Sequence, residues 1–144
     1  MAAPIPATFL FEVVTPDRAV VREQVDEAEI PGAGGYFGVL PGHTPMLATL
    51  QVGEMWYRKG QERFYLAVAF GFAEVLPDRV TVLAQIAERA EEIDVTRAQA
   101  AKARAEQRLA RRVADMDFER ARIAMMKALA RLQAATSART RTRV

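Results

Sequence analysis

A chain of 144 residues, 51% of them hydrophobic, can bury one modest core plus a small appendage but hardly two independent domains. It has no cysteine, which excludes disulfides and thiolate metal sites and is compatible with a reducing compartment, and no 18-residue uncharged apolar run, which excludes a membrane-spanning helix. The net charge of +2 hides two opposed halves: residues 1–94 carry 7 Lys and Arg against 14 Asp and Glu, net −7, whereas residues 95–144 carry 13 against 4, net +9, and such a basic segment points to an anionic partner.

The start of the chain, "MAAPIPATFLFEVV", has no basic region, long apolar run or cleavage pattern, so no secretory signal is expected. "TFLFEVVT" (8–15) is β-branched and aromatic and precedes the turn signal "PDR", which predicts a strand. "EIPGAGGYFGVLPGHTPML" combines glycines that permit positive φ with prolines that cannot join a central strand, and reads as an irregular connection at an edge or end. "MWYRKGQERFYLAV" reads as a hairpin closed near Lys59-Gly60, and "FAEVLPDRVTVLAQ" as another closed at Pro77-Asp78. The last glycine is Gly71 and the last proline Pro77, so turn chemistry belongs to the first part of the chain alone.

From Asp94, a candidate N-cap, the period becomes helical. Val95, Ala98, Ala105, Leu109 and Val113 share one face of a first helix, and Arg97, Arg104, Arg108 and Arg111 another. A second helix over 117–135 aligns Phe118, Ala121, Met125, Ala128, Leu132 and Ala135, with Arg120, Lys127 and Arg131 in a separate stripe and Asp115 or Asp117 as its cap. Alanine fills much of both seams, so a hairpin of these helices is only marginally stable against opening. The expected organisation is therefore an antiparallel β-sandwich over 1–90, an antiparallel two-helix hairpin over 91–136 and a disordered basic tail over 137–144.

Chemical signatures are sparse. His43 is the sole histidine, it sits in a Pro-Gly turn, and no nucleophile elbow accompanies it, so a turn or interface role outweighs catalysis. "GAGGYFG" lacks a following helix or Gly-Lys-Ser/Thr, and "EEID" reads as first-turn acids that complement a helix dipole, so neither a phosphate-cradling loop nor a metal site is expected. A small basic-armed nucleic-acid- or protein-binding module is the alternative reading. The arm holds one aromatic residue, Phe118, and that falls in the seam, whereas nucleic-acid binders interleave aromatics with charge.

"GYFGVLPGHTPMLATLQVGEM", followed by "FYLAVAFGFAEVLPDRVTVLAQIAERAEEIDVTRAQAAKARAEQRL", resembles the epsilon-subunit family of the F-type ATP synthase, called delta in mitochondria, over about residues 8–135. The resemblance implies a ten-stranded sandwich followed by two helices, in a non-catalytic central-stalk subunit whose sandwich binds γ and rests on the c-ring. The complex would lie at the cytoplasmic face of the bacterial inner membrane, with membrane contact only through its other subunits. It places Gly35, Tyr36, Gly38, Pro41, Gly42, His43 and Thr44 near γ and the c-ring. Some relatives carry an acid where this chain has Tyr36, so no charge-based contact is carried over there. In the compact state the helices lie on the sandwich; extended, they enter the α/β ring and block ATP hydrolysis. Arg104, Arg108, Arg111, Arg120, Arg122 and Lys127 would then meet an acidic segment of the β subunit. The family's Ile/Leu-Asp-x-x-Arg-Ala motif for regulatory ATP reads here as "IDVTRA", matching Ile93, Asp94, Arg97 and Ala98, with Glu88 and Arg104 at the flanks.

Overall fold

The computed structural model describes residues 4–111 and 115–142. Eight strands come first: β1 (Phe9–Val14), β2 (Ala19–Val25), β3 (Glu27–Gly32), β4 (Gly35–Val39), β5 (Met46–Leu50), β6 (Gly53–Lys59), β7 (Glu62–Val75) and β8 (Arg79–Arg89). A 3-10 turn at Ala90–Glu92 leads into α1 (Val95–Ala110) and α2 (Asp115–Thr142). The strands follow the order β2-β1-β8-β7-β5-β3-β4, with β6 bridging β3 and β7, so the sheet folds back on itself as a sandwich.

Strict alternation in β1 sends Phe9, Phe11 and Val13 inward, where they meet Val80 and Val82 of β8 and Met55 and Tyr57 of β6. Phe11 meets Tyr57 at a tilt and Tyr57 stacks on Phe64, with ring centroids 5.4 and 5.0 Å apart. The hairpin turns expected at Gly60 and at Pro77-Asp78 both form, and Leu76 N donates to Arg79 O across the second.

Three expectations need correction. The ten strands implied by resemblance are eight, because β7 and β8 each run unbroken through a bend: pairing passes from Ala69–Ile86 to Gly71–Ala84, skipping Phe70 and Gln85. The sandwich is not wholly antiparallel either. β1 lies parallel to β8, pairing Leu10 with Arg79 through Val14 with Leu83, since two strands at opposite ends of the sandwich sequence have no hairpin to set their direction. Finally, the glycine-rich stretch forms a hairpin of β3 and β4 as far as Val39, and only residues 40–45 remain the irregular connection expected of the whole. Its Ala33-Gly34 turn makes Gly32–Gly35 the hydrogen-bonded pair and Pro31–Tyr36 the next, non-hydrogen-bonded one, so β4 asks no N–H of Pro31. The proline carbonyl instead accepts from Gln51 N at 3.0 Å.

The helices form the expected hairpin, α1 against α2, and α2 lies down on the sheet. Asp94 caps α1, its carboxylate accepting from Arg97 N at 3.0 Å. Ala98 and Ala105 of α1 and Ala121 and Ala128 of α2 are buried; small residues at seven-residue spacing let the two axes approach closely. Val113 lies outside the described residues, and Asp117 falls inside α2 rather than at its cap. Ala130, Ala134 and Ala135 turn toward the sheet and form a second apolar cluster with Val52, Ala67, Ala69 and Ile93. The tail expected to be disordered continues α2 to Thr142. Nothing in "TSARTRT" breaks a helix, and Ala138 extends the buried stripe onto the same cluster. Residues 143–144 lie outside the description.

The neck between the two parts is pinned by charge. Arg18, from the β1–β2 turn, bridges to Glu92 at 2.5 Å, and Arg89 donates to Val20 O at 3.1 Å and to the Tyr57 hydroxyl at 3.3 Å. Burial pushes the Tyr57 phenol up to about 12, so it stays protonated and accepts from Arg89.

Candidate functional site

The bend in β7 divides the outer face of the sheet into two territories. Before it, Tyr65, Ala67 and Ala69 lie under α2. Beyond it the inward set passes from Leu66 and Val68 to Ala73 and Val75, so the alternation changes phase and Phe72 turns outward into solvent. Register lines up Thr49 of β5, Phe72 of β7, Leu83 of β8 and Val14 of β1 in one row across four strands. Leu47, Phe72 and Leu83 remain 71%, 53% and 54% exposed, and Val14, Thr15, Pro16 and Gln85 rim a shallow groove beside them. The sequence reading did not single out this row. Its signal was present in "FAEV" and "VTVL", where Phe72 and Leu83 share the solvent phase of Glu74 and Thr81.

The residues assigned by resemblance to γ and the c-ring fall into two groups. Gly35, Tyr36 and Gly38 stand on β4, while Pro41, Gly42, His43 and Thr44 form the loop into β5. Gly42 adopts φ 86°, donates its N–H to Pro77 O at 2.7 Å, and lies under Ile5, so this loop is tied to the β7–β8 turn and to the N-terminal segment. Exposed Ile5 and Leu40 make that end apolar. The His43 ring meets the Thr44 carbonyl at 2.7 Å, a backbone partner that supplies neither a nucleophile nor an orienting carboxylate. Tyr36 folds back on β6: its hydroxyl lies over Gly53 and hydrogen-bonds the Glu54 backbone.

The nucleotide motif is intact, but its members are dispersed. Ile93 and Ala98 are buried, Asp94 is engaged as the α1 cap, and Arg97 and Arg104 are exposed on α1. Glu88 alone of the set lines a cleft of about 170 Å³ between β7, β8 and α2, together with Ala67, Ala69, Ile86, Lys127 and Arg131. Arg131 grips Glu88 there with Nε and a terminal nitrogen at 2.7 and 2.6 Å, and Lys127 reaches over the Phe70 ring at 5.9 Å. The resemblance assigns Lys127 to the β-subunit contacts, and helical periodicity puts Arg131 only in the basic stripe of α2. Neither position could be tied to Glu88 from spacing, because 43 residues separate Arg131 from it.

Arg108, Arg111 and Arg120 gather with Asp117 at the outer end of the helices. Arg122 pairs with Glu119 one turn back and reaches Met126 Sδ at 3.3 Å; the bond from Arg122 holds the exposed Glu119 carboxyl below its ordinary range. Among the described residues no group of three or more acids or histidines is placed to hold a metal ion, and no helix is long and apolar enough to cross a membrane.

Comparison with known proteins agrees with this division of the chain. Residues 8–90 match the β-sandwich domain of the ATP synthase delta/epsilon chain, and residues 91–136 match its long α-helix domain. The ATP synthase epsilon chain of Koribacter versatilis is 60% identical over 102 residues, which cover 71% of this chain and 72% of that one. That of Syntrophobacter fumaroxidans is 52% identical over 86% of this chain and 92% of the relative, and that of Solibacter usitatus 47% identical over 91% and 98%. In fold, the chain is similar to one in the Euglena gracilis mitochondrial ATP synthase, an assembly of OSCP, F1 and c-ring, with a TM-score of 0.81 and 24% identity over 93% of this chain and 84% of that one. With both halves matched in order and curated epsilon chains about half identical along most of its length, the chain belongs to the delta/epsilon family of the F-type ATP synthase, as an epsilon subunit.

Proposed function

We propose that this epsilon subunit works in the central stalk, docking on γ through the Leu47–Phe72–Leu83 face, standing with its loop end at the c-ring, and using its helices to inhibit ATP hydrolysis without catalysing it. The uncovered apolar row carries the reading. A monomer has no reason to leave a Phe and two Leu side by side in water, and an apolar patch rimmed by polar residues is the mark of a protein contact. The fold shared with chains of F1/c-ring and central-stalk/c-ring assemblies supports it. Membrane contact then comes through the complex, at the cytoplasmic face of the bacterial inner membrane. Co-expression with γ tests the docking: the two chains should elute together, and their separation at micromolar concentration overturns it.

The inhibitory part of the reading rests on the cationic end of the helices. Arg108, Arg111 and Arg120 are exposed and gathered there, matched to an acidic partner surface such as the β subunit offers when the arm extends. Replacing Arg108, Arg111, Arg120 and Arg122 with alanine should raise ATP hydrolysis by the assembled enzyme several-fold while γ still co-purifies. Unchanged hydrolysis removes the inhibitory role; loss of assembly makes the arm a scaffold.

A second, regulatory reading is favoured by the cleft under α2. Lys127 and Arg131 put two cations against the apolar wall of Ala67, Ala69 and Ile86, a combination that suits a phosphate and a base. ATP would exchange its phosphate for the Glu88 carboxylate at Arg131, and Arg97 and Arg104 would have to swing in from α1. A nucleotide held between sheet and arm favours the compact state. Calorimetry should show binding that weakens about tenfold or more in Arg131→Ala, on the scale of a lost charge-assisted hydrogen bond. No heat at millimolar ATP removes this reading and leaves the stalk assignment intact.

A further inference from the structure

Across Ala67 from that cleft, a buried acid on β6 fastens the last turns of α2 to the sheet. We propose that Glu54 and Ser137, with Tyr36 on the Glu54 backbone and Glu29 facing the carboxyl, form a proton-sensitive latch that holds the C-terminal turns of α2 against β6.

Glu54 is the one charged side chain among the described residues that is buried, at 9% exposure. It stands on β6, on the face opposite the inward Met55, and register places Ala67 of β7 beside it. From α2, the Ser137 hydroxyl donates to its Oε2 at 2.7 Å. From β4, the Tyr36 hydroxyl hydrogen-bonds its backbone, and from β3, Glu29 adds negative charge. None of the ion pairs among the described residues brings a Lys or Arg to this carboxylate. Its polar environment when the arm is down is thus one neutral donor and one like charge, an arrangement that disfavours ionisation.

Lifting α2 removes Ser137 and returns Glu54 to water. Burial, opposed by the Ser137 hydrogen bond and reinforced by Glu29, raises the carboxyl above its ordinary value in the closed arm. The sign follows from linkage: a group with a higher pKa in the closed state takes up a proton on closing. Acid therefore favours the closed arm, and this contribution is lost as pH rises through the raised value. The serine hydroxyl can donate to the carboxylate and either donate to or accept from the carboxylic acid, so protonation removes the buried charge without losing the bond. In the assembled enzyme, if the extended arm is the inhibitor, acidification would keep it docked. The latch itself depends on neither γ docking nor inhibition, and its test uses the isolated full chain.

Trp56 is the only tryptophan and the chain has no cysteine, so Arg139→Cys, on an exposed position of α2, can carry an acceptor dye for energy transfer from Trp56. On titration from about pH 8 to about pH 5, transfer should rise, the closed-to-open ratio changing roughly tenfold for each pH unit between the closed- and open-state pKa values. Glu54→Gln should show high transfer at every pH, because the amide keeps the bond to Ser137 without the charge. Ser137→Ala should lower transfer at alkaline pH and leave a rise on acidification. A wild-type signal flat with pH, or an unchanged titration in Glu54→Gln, overturns the latch. Should circular dichroism show Glu54→Gln unfolded, Glu29→Gln decides: the midpoint should move to lower pH, and an unmoved midpoint overturns the proposal.

Discussion

Phe72→Lys combined with Leu83→Glu is expected to abolish docking on γ while leaving the sandwich folded. The two positions are direct cross-strand partners, so the new side chains can form an ion pair on the sheet surface, and both native side chains are already more than half exposed. The expected change in folding stability is within about 1 kcal/mol. Binding is affected far more. Fully burying a Phe or Leu contributes about 1.5–3 kcal/mol, roughly half of which remains to be gained here on docking. Two charges forced into the same contact add a desolvation cost of at least ~1–3 kcal/mol. Together these amount to about 3–6 kcal/mol, or roughly a 100- to 10,000-fold loss of affinity, readable as loss of co-elution with γ. Leu47→Lys, at the margin of the row, should cost less. Full retention of γ by the double variant would move the docking surface elsewhere.

Gly71→Ala is expected to be the most destabilising single methyl in the chain. Gly71 sits at the bend with φ 121°, and a Cβ there would lie 1.9 Å from the Leu83 carbonyl oxygen and 3.0 Å from Ala84 Cα. The obstructing atoms are backbone of the neighbouring strand, so no rotamer change relieves them; β7 and β8 must part, or the bend must be lost. A cost of about 3–5 kcal/mol is expected, a large share of a typical domain's stability. Urea unfolding followed by Trp56, which lies on β6 within the sandwich, should show the midpoint fall sharply. Gly34→Ala is the control: a Cβ at Gly34 meets nothing within 4 Å, and its midpoint should barely move. Similar midpoints for the two variants would mean that the bend is not held by close approach at Gly71.

The bend also explains what was hidden from a reading of strand patterns. Alternation within "FAEVL" tells which residues share a face, but not that the phase changes between Ala69 and Gly71 and leaves the outer face beyond the bend to solvent instead of α2. The irregular connection expected over residues 29–47 is a hairpin as far as Val39 for a related reason. Gly and Pro raise the prior for a loop, yet Pro31 is tolerated in β3 because of where the hairpin register puts its missing N–H. The disordered tail failed because composition weighs charge, whereas Ser137 and Ala138 find their partners on a sheet distant in sequence.

Local pattern by itself determined the strand at 8–15, the turns at Gly60 and Pro77, the Asp94 cap, the change from period two to helical period and the two alanine seams, and the quoted motifs carried the family. These signals act over a turn or a strand length, through φ preferences, capping and alternation, so adjacent residues suffice to encode them. Only the tertiary structure decided the parallel entry of β1 beside β8, the face on which the arm lies, the Arg131–Glu88 grip, and the burial of Glu54 beneath Ser137. The last two contacts join residues 43 and 83 positions apart. No spacing rule spans such separations, because which side chains meet there depends on how whole elements pack rather than on the chain between them.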